Sequence, residues 1–471
     1  MRARVTDAAG VALGKAVVSS LVWASGFRAL SDDDYARIVI AQRFAESPSL
    51  DPTGTSWLPL PFWLNGGAML LFGASVEVAR GVALVLGVAS AVAVWVALGW
   101  LGAGRLGSVL GALCAAAFPY SAWLGVATVP ELPTAALCLL GLASLTHGGS
   151  VRMGGAVALS AACLSRYEAW PVALVFALVC ARDGRARWPA AAMALAGPAA
   201  WLVHGVLHHG SALFFVKRVS EYRRAIGAGN QSLVDGLMGF PTMLVRCEPE
   251  LCAFALIALC AALALGGTAV LRRHVRVLLA LGALMAFLVA GDLRDGAPTH
   301  HGERALLTAW LGLAALGGDA VGEAWARARA AGRAALIALP GLAMAPMTAI
   351  VRPWYAARDA FVDRSAEVEL GRAARALAGP GERLLVSARD FGFYATMAGF
   401  GAPARSAPLD DHDPRKPRAP AGGSGTDALQ AQLAAERADW LVVEADRVAG
   451  AAPLGAVERQ SRGLALIRLR R

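Results

Sequence analysis

The chain has 471 residues, 57% of them hydrophobic and only 17% charged, with a formal net charge of +10. Soluble globular chains carry nearer a quarter charged residues, so an ordinary soluble domain is excluded. The surplus Lys and Arg fall in short turns between apolar blocks, with no basic stripe interleaved with aromatics, so they read as membrane topology and headgroup contact, and nucleic-acid binding is set aside.

The apolar blocks approach the roughly 20 residues that a helix needs to cross hydrocarbon. They fall at 11–30, 76–100, 106–125, 130–147, 154–166, 169–181, 189–208, 251–271, 275–291, 304–321 and 333–351. The expected fold class is an α-helical polytopic membrane protein of about 10–11 membrane segments, followed by a small C-terminal α/β domain. The N-terminus has the outline of a signal peptide. An uncleaved first span is the better reading, because the acidic loop after it makes sense when tethered. Basic turns at Arg105, Arg152, Arg182, Arg272 and Arg327 fall in alternate loops. The positive-inside rule makes those loops cytoplasmic. The outer loops are then 31–75, around 126–130, 166–168, 209–250 and 292–303, and the tail is outside as well.

The first outer loop opens on Ser31-Asp32-Asp33-Asp34-Tyr35. Three adjacent carboxylates repel one another and call for water, metal or a basic partner. At the mouth of an apolar bundle they read as a site, with one or two facing the cavity. A carboxylate there can take a proton from an attacking hydroxyl, and a neighbour can tune it or share a divalent ion. Farther along, Trp57, Leu58, Leu60, Phe62 and Trp63 make an interfacial helix that Pro59 and Pro61 lead in.

The blocks 154–166 and 169–181 are half-helices meeting at Arg166-Tyr167-Glu168. Broken helices are tolerated where they line a polar cavity. An arginine at that depth needs a partner, either Glu168 or a phosphate. The loop 209–250 carries Lys217 and Arg218 on the outer side, against the inside rule, where an anionic headgroup or phosphate would explain them. Its Cys247 and Cys252 read as ordinary residues rather than a disulfide, and the remaining cysteines as small core residues. His300-His301-Gly302-Glu303-Arg304 enters a late span. Adjacent histidines rarely reach one ion, so Arg304 as a phosphate contact is the better reading.

Past about 352 the apolar runs shorten to strand length at 383–387, 439–444 and 464–469, with helical stretches at 363–378 and 426–437. Strands alternating with helices give a small α/β domain over 352–471, set off from a membrane domain over 1–351. The Pro- and Gly-rich stretch 402–425 reads as a mobile loop, and Asp410-Asp411-His412-Asp413 within it as solvated charge. The chain lacks a Walker loop, a Gly-x-Ser-x-Gly elbow and a His-Glu-x-x-His helix, which argues against nucleotide-driven pumping, serine hydrolysis and zincin chemistry.

These motifs, in order, resemble the membrane-embedded C-class (GT-C) glycosyltransferases, which use polyprenyl-phosphate sugars. Asp32-Asp33-Asp34-Tyr35 matches their first-loop acid pair, with Arg37, Ala41 and Arg43 following. Thr55-Ser56-Trp57-Leu58-Pro59-Leu60 is similar, though permuted, to the element leading their interfacial helix. Leu164-Ser165-Arg166-Tyr167-Glu168-Ala169-Trp170-Pro171 is similar to their Arg-Tyr-Glu-Gly-Trp junction. Gly302-Glu303-Arg304-Ala305-Leu306-Leu307 is similar to a late Glu-Arg-Tyr-Leu element, with Ala305 in place of the aromatic. The resemblance runs over about 30–320; the tail matches only as an extra outer domain.

The resemblance implies an inverting transferase in a bacterial inner membrane, its site on the extracytoplasmic side. A sugar would move from a polyprenyl phosphate to an acceptor hydroxyl. Asp33 would be the base, with Asp32 next and Asp34 third; Tyr35, Glu168, His300 and His301 would stand nearby. Arg166 and Arg304 would hold the phosphate, with Lys217 and Arg218 as weaker contacts. No cofactor is required, and a divalent cation (Mg or Mn) would sit on Asp32 and Asp33 if one were used. The competing reading is a transporter or flippase of a lipid-linked or anionic substrate, which broken helices and intramembrane charge also fit.

Overall fold

The computed structural model describes residues 2–227, 232–294, 301–344, 361–410, 412–416, 433–444 and 455–470. The membrane part begins with α1 (Arg2–Ala24), then places α2 (Asp33–Glu46) and α3 (Leu60–Phe72) in the first outer loop. It continues through α4 (Val76–Leu101), α5 (Arg105–Ala117), α6 (Pro119–Leu124), α7 (Glu131–Ser144), α8 (Gly149–Cys163), α9 (Ala169–Arg182) and α10 (Trp188–His209). Then come α11 (Phe214–Ala225), α12 (Leu233–Cys247), α13 (Pro249–Ala264), α14 (Ala269–Asp292), α15 (Leu307–Arg327) and α16 (Ala330–Met344).

Among the described residues, five helices are long and apolar enough to cross a bilayer: Arg4–Ala24, Val76–Leu101, Arg185–His209, Ala269–Asp292 and Gly302–Arg327. The pair α12 and α13, bent by 85° at their junction, makes a sixth if it counts as one broken span. The other apolar segments form helices of 13 to 15 residues, short of the roughly 20 needed for a full crossing. The block at 106–125 is one such case, because Pro119 cannot continue α5 and starts α6 instead.

Across that break Tyr120 N donates to Glu248 Oε1 at 2.8 Å. Lys15, fully buried near the middle of α1, donates its ammonium to Ala116 O at 3.1 Å and Ser121 O at 2.7 Å. Elsewhere the bundle closes through small residues. A Cβ on Gly318 of α15 would lie 2.2 Å from Gly111 Cα of α5, so only glycine permits that approach.

Two sequence expectations need correction here. The segment 209–250 is not a plain loop: most of it is α11 and α12, and α11 is strongly amphipathic, lying with Phe214 and Phe215 inward. Nor is 402–425 irregular throughout. Ser406–Pro408 pairs as a strand, because Leu384–Val386 offers it an open parallel edge; residues 417–425 lie outside the described residues. No disulfide joins Cys247 to Cys252.

The tail contains α17 (Ser365–Leu377), β1 (Leu384–Val386), α18 (Phe393–Phe400), β2 (Ser406–Pro408), β3 (Trp440–Glu444), β4 (Gly455–Ser461) and β5 (Leu464–Leu469). The sheet order is β2-β1-β3-β5-β4, parallel across β2, β1 and β3 and antiparallel beyond. The expected boundary at 351/352 falls outside the described residues. What matters for the site is where this sheet docks. Tyr35, Ile38 and Val39 of α2 share one apolar core with Leu370, Phe393, Phe400 and Trp440 of the tail. Gln42 of α2, fully buried, donates to Ala398 O at 2.8 Å. The acidic helix is therefore held between the membrane bundle and the tail.

Candidate active site

The acidic run sits on the first turn of α2, where carboxylates meet the positive end of the helix dipole. The helix turn sends the three side chains in three directions. Asp32 faces the tail: both its oxygens accept from Arg364, at 2.9 and 3.0 Å, and the same guanidinium reaches Glu367 and Asp390. Asp34 faces inward and is buried. It accepts from Leu30 N, Ser31 N and Thr128 N, and Thr128 Oγ1 donates to its carbonyl. These bonds use Asp34 as an anchor between α2 and the 125–130 loop.

Asp33 faces the bundle. One oxygen accepts from Arg304 at 2.8 Å, and 40% of the side chain stays open. Burial pushes its carboxyl up, but the charges of Arg304 and Arg37 outweigh that and hold it below the usual carboxylate range. Asp33 is thus ionised, oriented and accessible at once, which none of its neighbours is.

Arg304 rises from a short helical turn at Gly302–Leu306 that feeds α15, and only 5% of its side chain is exposed. Its second arm lies 3.7 Å from Glu131. Glu131 opens α7 and takes Arg166 at 2.5 Å; Arg166 also forks onto Glu168 at 2.5 and 3.1 Å. Arg37, one turn after Asp33, lies 4.3 Å over the Trp57 ring, which stacks on Phe62. The result is an alternating cluster of Asp33, Glu131 and Glu168 with Arg37, Arg166 and Arg304. Arg166 is fully engaged by two carboxylates. By contrast, Nε of Arg37 and Nη1 of Arg304 are buried without a hydrogen-bond acceptor, which leaves two cationic donors beside the one open carboxylate.

The structure thus brings together Asp33, Arg166, Glu168 and Arg304. Tyr35 is turned away into the core shared with the tail, where burial pushes its hydroxyl up to about 12. Lys217 is exposed beside Glu221, and Arg218 donates to Gly54 O; no hydrogen bond or ion pair links either to Asp33 or Arg304. His301, in the left-handed region at φ 55°, pairs with Glu303. His300 and Asp411 lie outside the described residues. In the tail, Asp413 is held by Arg415 at about 2, and His412 bonds Ala388 O. Asp32 and Asp33 face different arginines. Among the described residues, the three-residue group whose ligand atoms converge is Asp51, His204 and His209.

Two residues escaped the sequence reading. Glu131 carries a signal, since an acid between Pro130 and Pro133 opening an apolar helix is an ionisable group at membrane depth. Arg364 carries none; it meets Asp32 across 332 residues of chain.

Neither a comparison with protein-family models nor one with curated proteins finds a match. Solved structures do match over nearly the whole length. The apo structure of ArnT from Cupriavidus metallidurans aligns over 98% of this chain and 97% of its own, at TM-score 0.58 and 14% identity. The chain has the C-class glycosyltransferase fold. The same ArnT bound to undecaprenyl phosphate aligns equally well, at TM-score 0.58 and 12% identity. The archaeal oligosaccharyltransferase AglB from Archaeoglobus fulgidus, with an inhibitory peptide and a dolichol-phosphate, aligns at TM-score 0.52 and 12% identity over 94% of this chain and 70% of its own. At these identities the GT-C likeness is one of fold.

Proposed function

We propose that this protein is an inverting glycosyltransferase of a bacterial inner membrane, moving a sugar from a polyprenyl phosphate to an acceptor hydroxyl at the outer face. The observation that carries the reading is Asp33, the one carboxylate of the acidic run that is charged, held by an arginine and open. Asp33 takes the proton of the acceptor hydroxyl. The oxygen attacks the anomeric carbon from the face opposite the phosphate; the carbon–oxygen bond to phosphate breaks, and lipid phosphate leaves with its electron pair. Arg304 and Arg37, each with one buried N–H that lacks an acceptor, Nη1 and Nε respectively, receive the phosphate charge as it develops. Arg166 keeps Glu131 in place between them, and Asp34 fixes the helix. ArnT has been solved bound to undecaprenyl phosphate and AglB in complex with a dolichol-phosphate, which supports a polyprenyl-phosphate donor here. The membrane domain over 1–351 carries the chemistry, and the tail over 352–471 braces α2 from outside.

The test uses purified protein in lipid vesicles with a panel of polyprenyl-phosphate sugars, following release of lipid phosphate. Asp33→Asn lowers turnover by about 10²–10⁴, the range for a lost general base, while leaving the fold intact. Movement of the lipid-linked sugar across the bilayer with no release from any donor would replace the transferase with a flippase.

A further inference from the structure

Outside the acidic cluster, the first outer loop meets the end of α10 at a second set of ligand-type side chains. Asp51 Oδ2 lies 3.2 Å from His204 Nε2 and 3.7 Å from His209 Nε2, and the three ligand atoms all fall within 4.8 Å of one another. We propose that Asp51, His204 and His209 form a transition-metal site, with zinc as the metal it takes, that pins this loop to the bundle.

Three observations carry the assignment. The first is spacing. Zinc bonds of about 2.0–2.2 Å in a tetrahedron put neighbouring ligand atoms roughly 3.4 Å apart, and the two separations from Asp51 Oδ2 bracket that value. A hydrogen-bonded pair explains only the shorter one, since 3.7 Å is too long for such a bond, yet the second ring nitrogen lies beside the same oxygen. The second is the support around the ligands. The other Asp51 oxygen accepts from Thr53 N at 3.0 Å, Thr53 Oγ1 at 2.9 Å and Gly54 N at 3.1 Å, so Oδ2 is left to aim at the rings. The third is ring orientation. His204 stacks on Trp201 at 4.8 Å and His209 on Phe214 at 3.9 Å, which sets both planes before any metal arrives. Two imidazoles and one carboxylate are a borderline donor set suited to zinc, not to magnesium or manganese, which prefer oxygen.

The site has a structural role with reach. The loop that Asp51 anchors continues to Trp57, whose carbonyl oxygen lies 3.3 Å from Thr53 Oγ1. Trp57 is the ring under Arg37. A metal at Asp51 therefore fixes the aromatic floor of the candidate active site without touching the reacting atoms.

The experiment is metal analysis of the full-length protein in detergent, purified without a histidine tag and dialysed. About one zinc per chain is expected, together with the visible d–d bands of four-coordinate Co2+ after exchange. Asp51→Asn and His204→Gln should each lose the metal and the bands. Because those variants disturb the loop, Thr53→Val is the control that keeps all three ligands; losing its bond to Asp51 should weaken zinc binding about 10-fold or more. Zinc content in wild type no higher than in Asp51→Asn, with no Co2+ bands, would overturn the site and leave an ordinary Asp–His contact. Full zinc binding retained in both ligand variants would overturn it equally. Neither result bears on Asp33 or on sugar transfer.

Discussion

Arg364 is the tail's grip on the acidic helix, and removing it gives a measurable coupling. Its guanidinium makes a two-pronged bond to Asp32, at 2.9 and 3.0 Å, and reaches Glu367 at 3.0 Å and Asp390 at 2.7 Å. The arginine and Asp32 are each less than a fifth exposed. Substituting Arg364→Ala leaves three carboxylates facing one another with no cation between them. Breaking such a pair from one side costs about 3–5 kcal/mol when buried; partial exposure here brings the estimate to about 3 kcal/mol. The tail does not let go of α2 entirely, because Gln42 and the shared apolar core remain. What is lost is the hold on the first turn, where Asp33 sits one residue from Asp32. A displacement of about 1 Å at a reacting group costs about 10²-fold in rate. The assay is a double-mutant cycle of Arg364→Ala and Asp32→Asn, read as thermal stability in detergent and as release of lipid phosphate. In the double variant the repulsion is relieved, so the two changes should be less than additive, by about 1–3 kcal/mol. Additive effects on both readouts would refute the clamp. Lysine at 364 keeps the charge and loses the fork, and should recover only part of the stability.

Asp34→Ala should behave as a folding defect: three backbone donors lose their acceptor at about 1–3 kcal/mol each, so yield and melting temperature fall more than the turnover of the surviving protein. Asp33 gives a pH prediction. Its folded carboxyl is depressed, so its pairing with Arg304 is present at neutral pH and lost only as pH falls through that lowered value. The acid limb of kcat/KM should therefore lie below about 3.9, the ordinary aspartate value, and Arg304→Gln should move it upward; a wild-type limb near pH 6 would contradict the assignment. Gly318→Ala should push α5 and α15 apart, destabilising by about 1–3 kcal/mol, with loss of monodispersity on gel filtration as the readout.

Much of the membrane architecture was legible because hydrocarbon imposes a length and a composition that sequence displays directly. The acidic run, the Arg166 junction and Arg304 were legible because charge next to apolar segments is costly and stands out. What was not legible is how the three aspartates divide. Adjacent residues on one helix turn face different neighbours, and which one meets Arg304, Arg364 or Thr128 depends on contacts 94 to 332 residues away. The helices at 214–225 and 233–247 were hidden because their charge looks like loop until an amphipathic period is placed against the bundle. The strand at 406–408 was hidden because a three-residue run containing Pro408 has no strand signature of its own and exists only by pairing with β1.

Lys15 bears on how the chain enters its membrane. An isolated helix with a lysine near its centre pays about 2.5–3.5 kcal/mol to cross hydrocarbon. In the finished bundle the ammonium has two carbonyl partners, but Ser121 O is synthesised 106 residues later. Until α5 and α6 emerge, the first helix has nothing to satisfy that charge and is held in the bilayer only by its apolar flanks. The kink at Pro119 thus does double duty: it shapes the bundle and, by bringing Ala116 O and Ser121 O within reach of one ammonium, completes the integration of a helix made long before it.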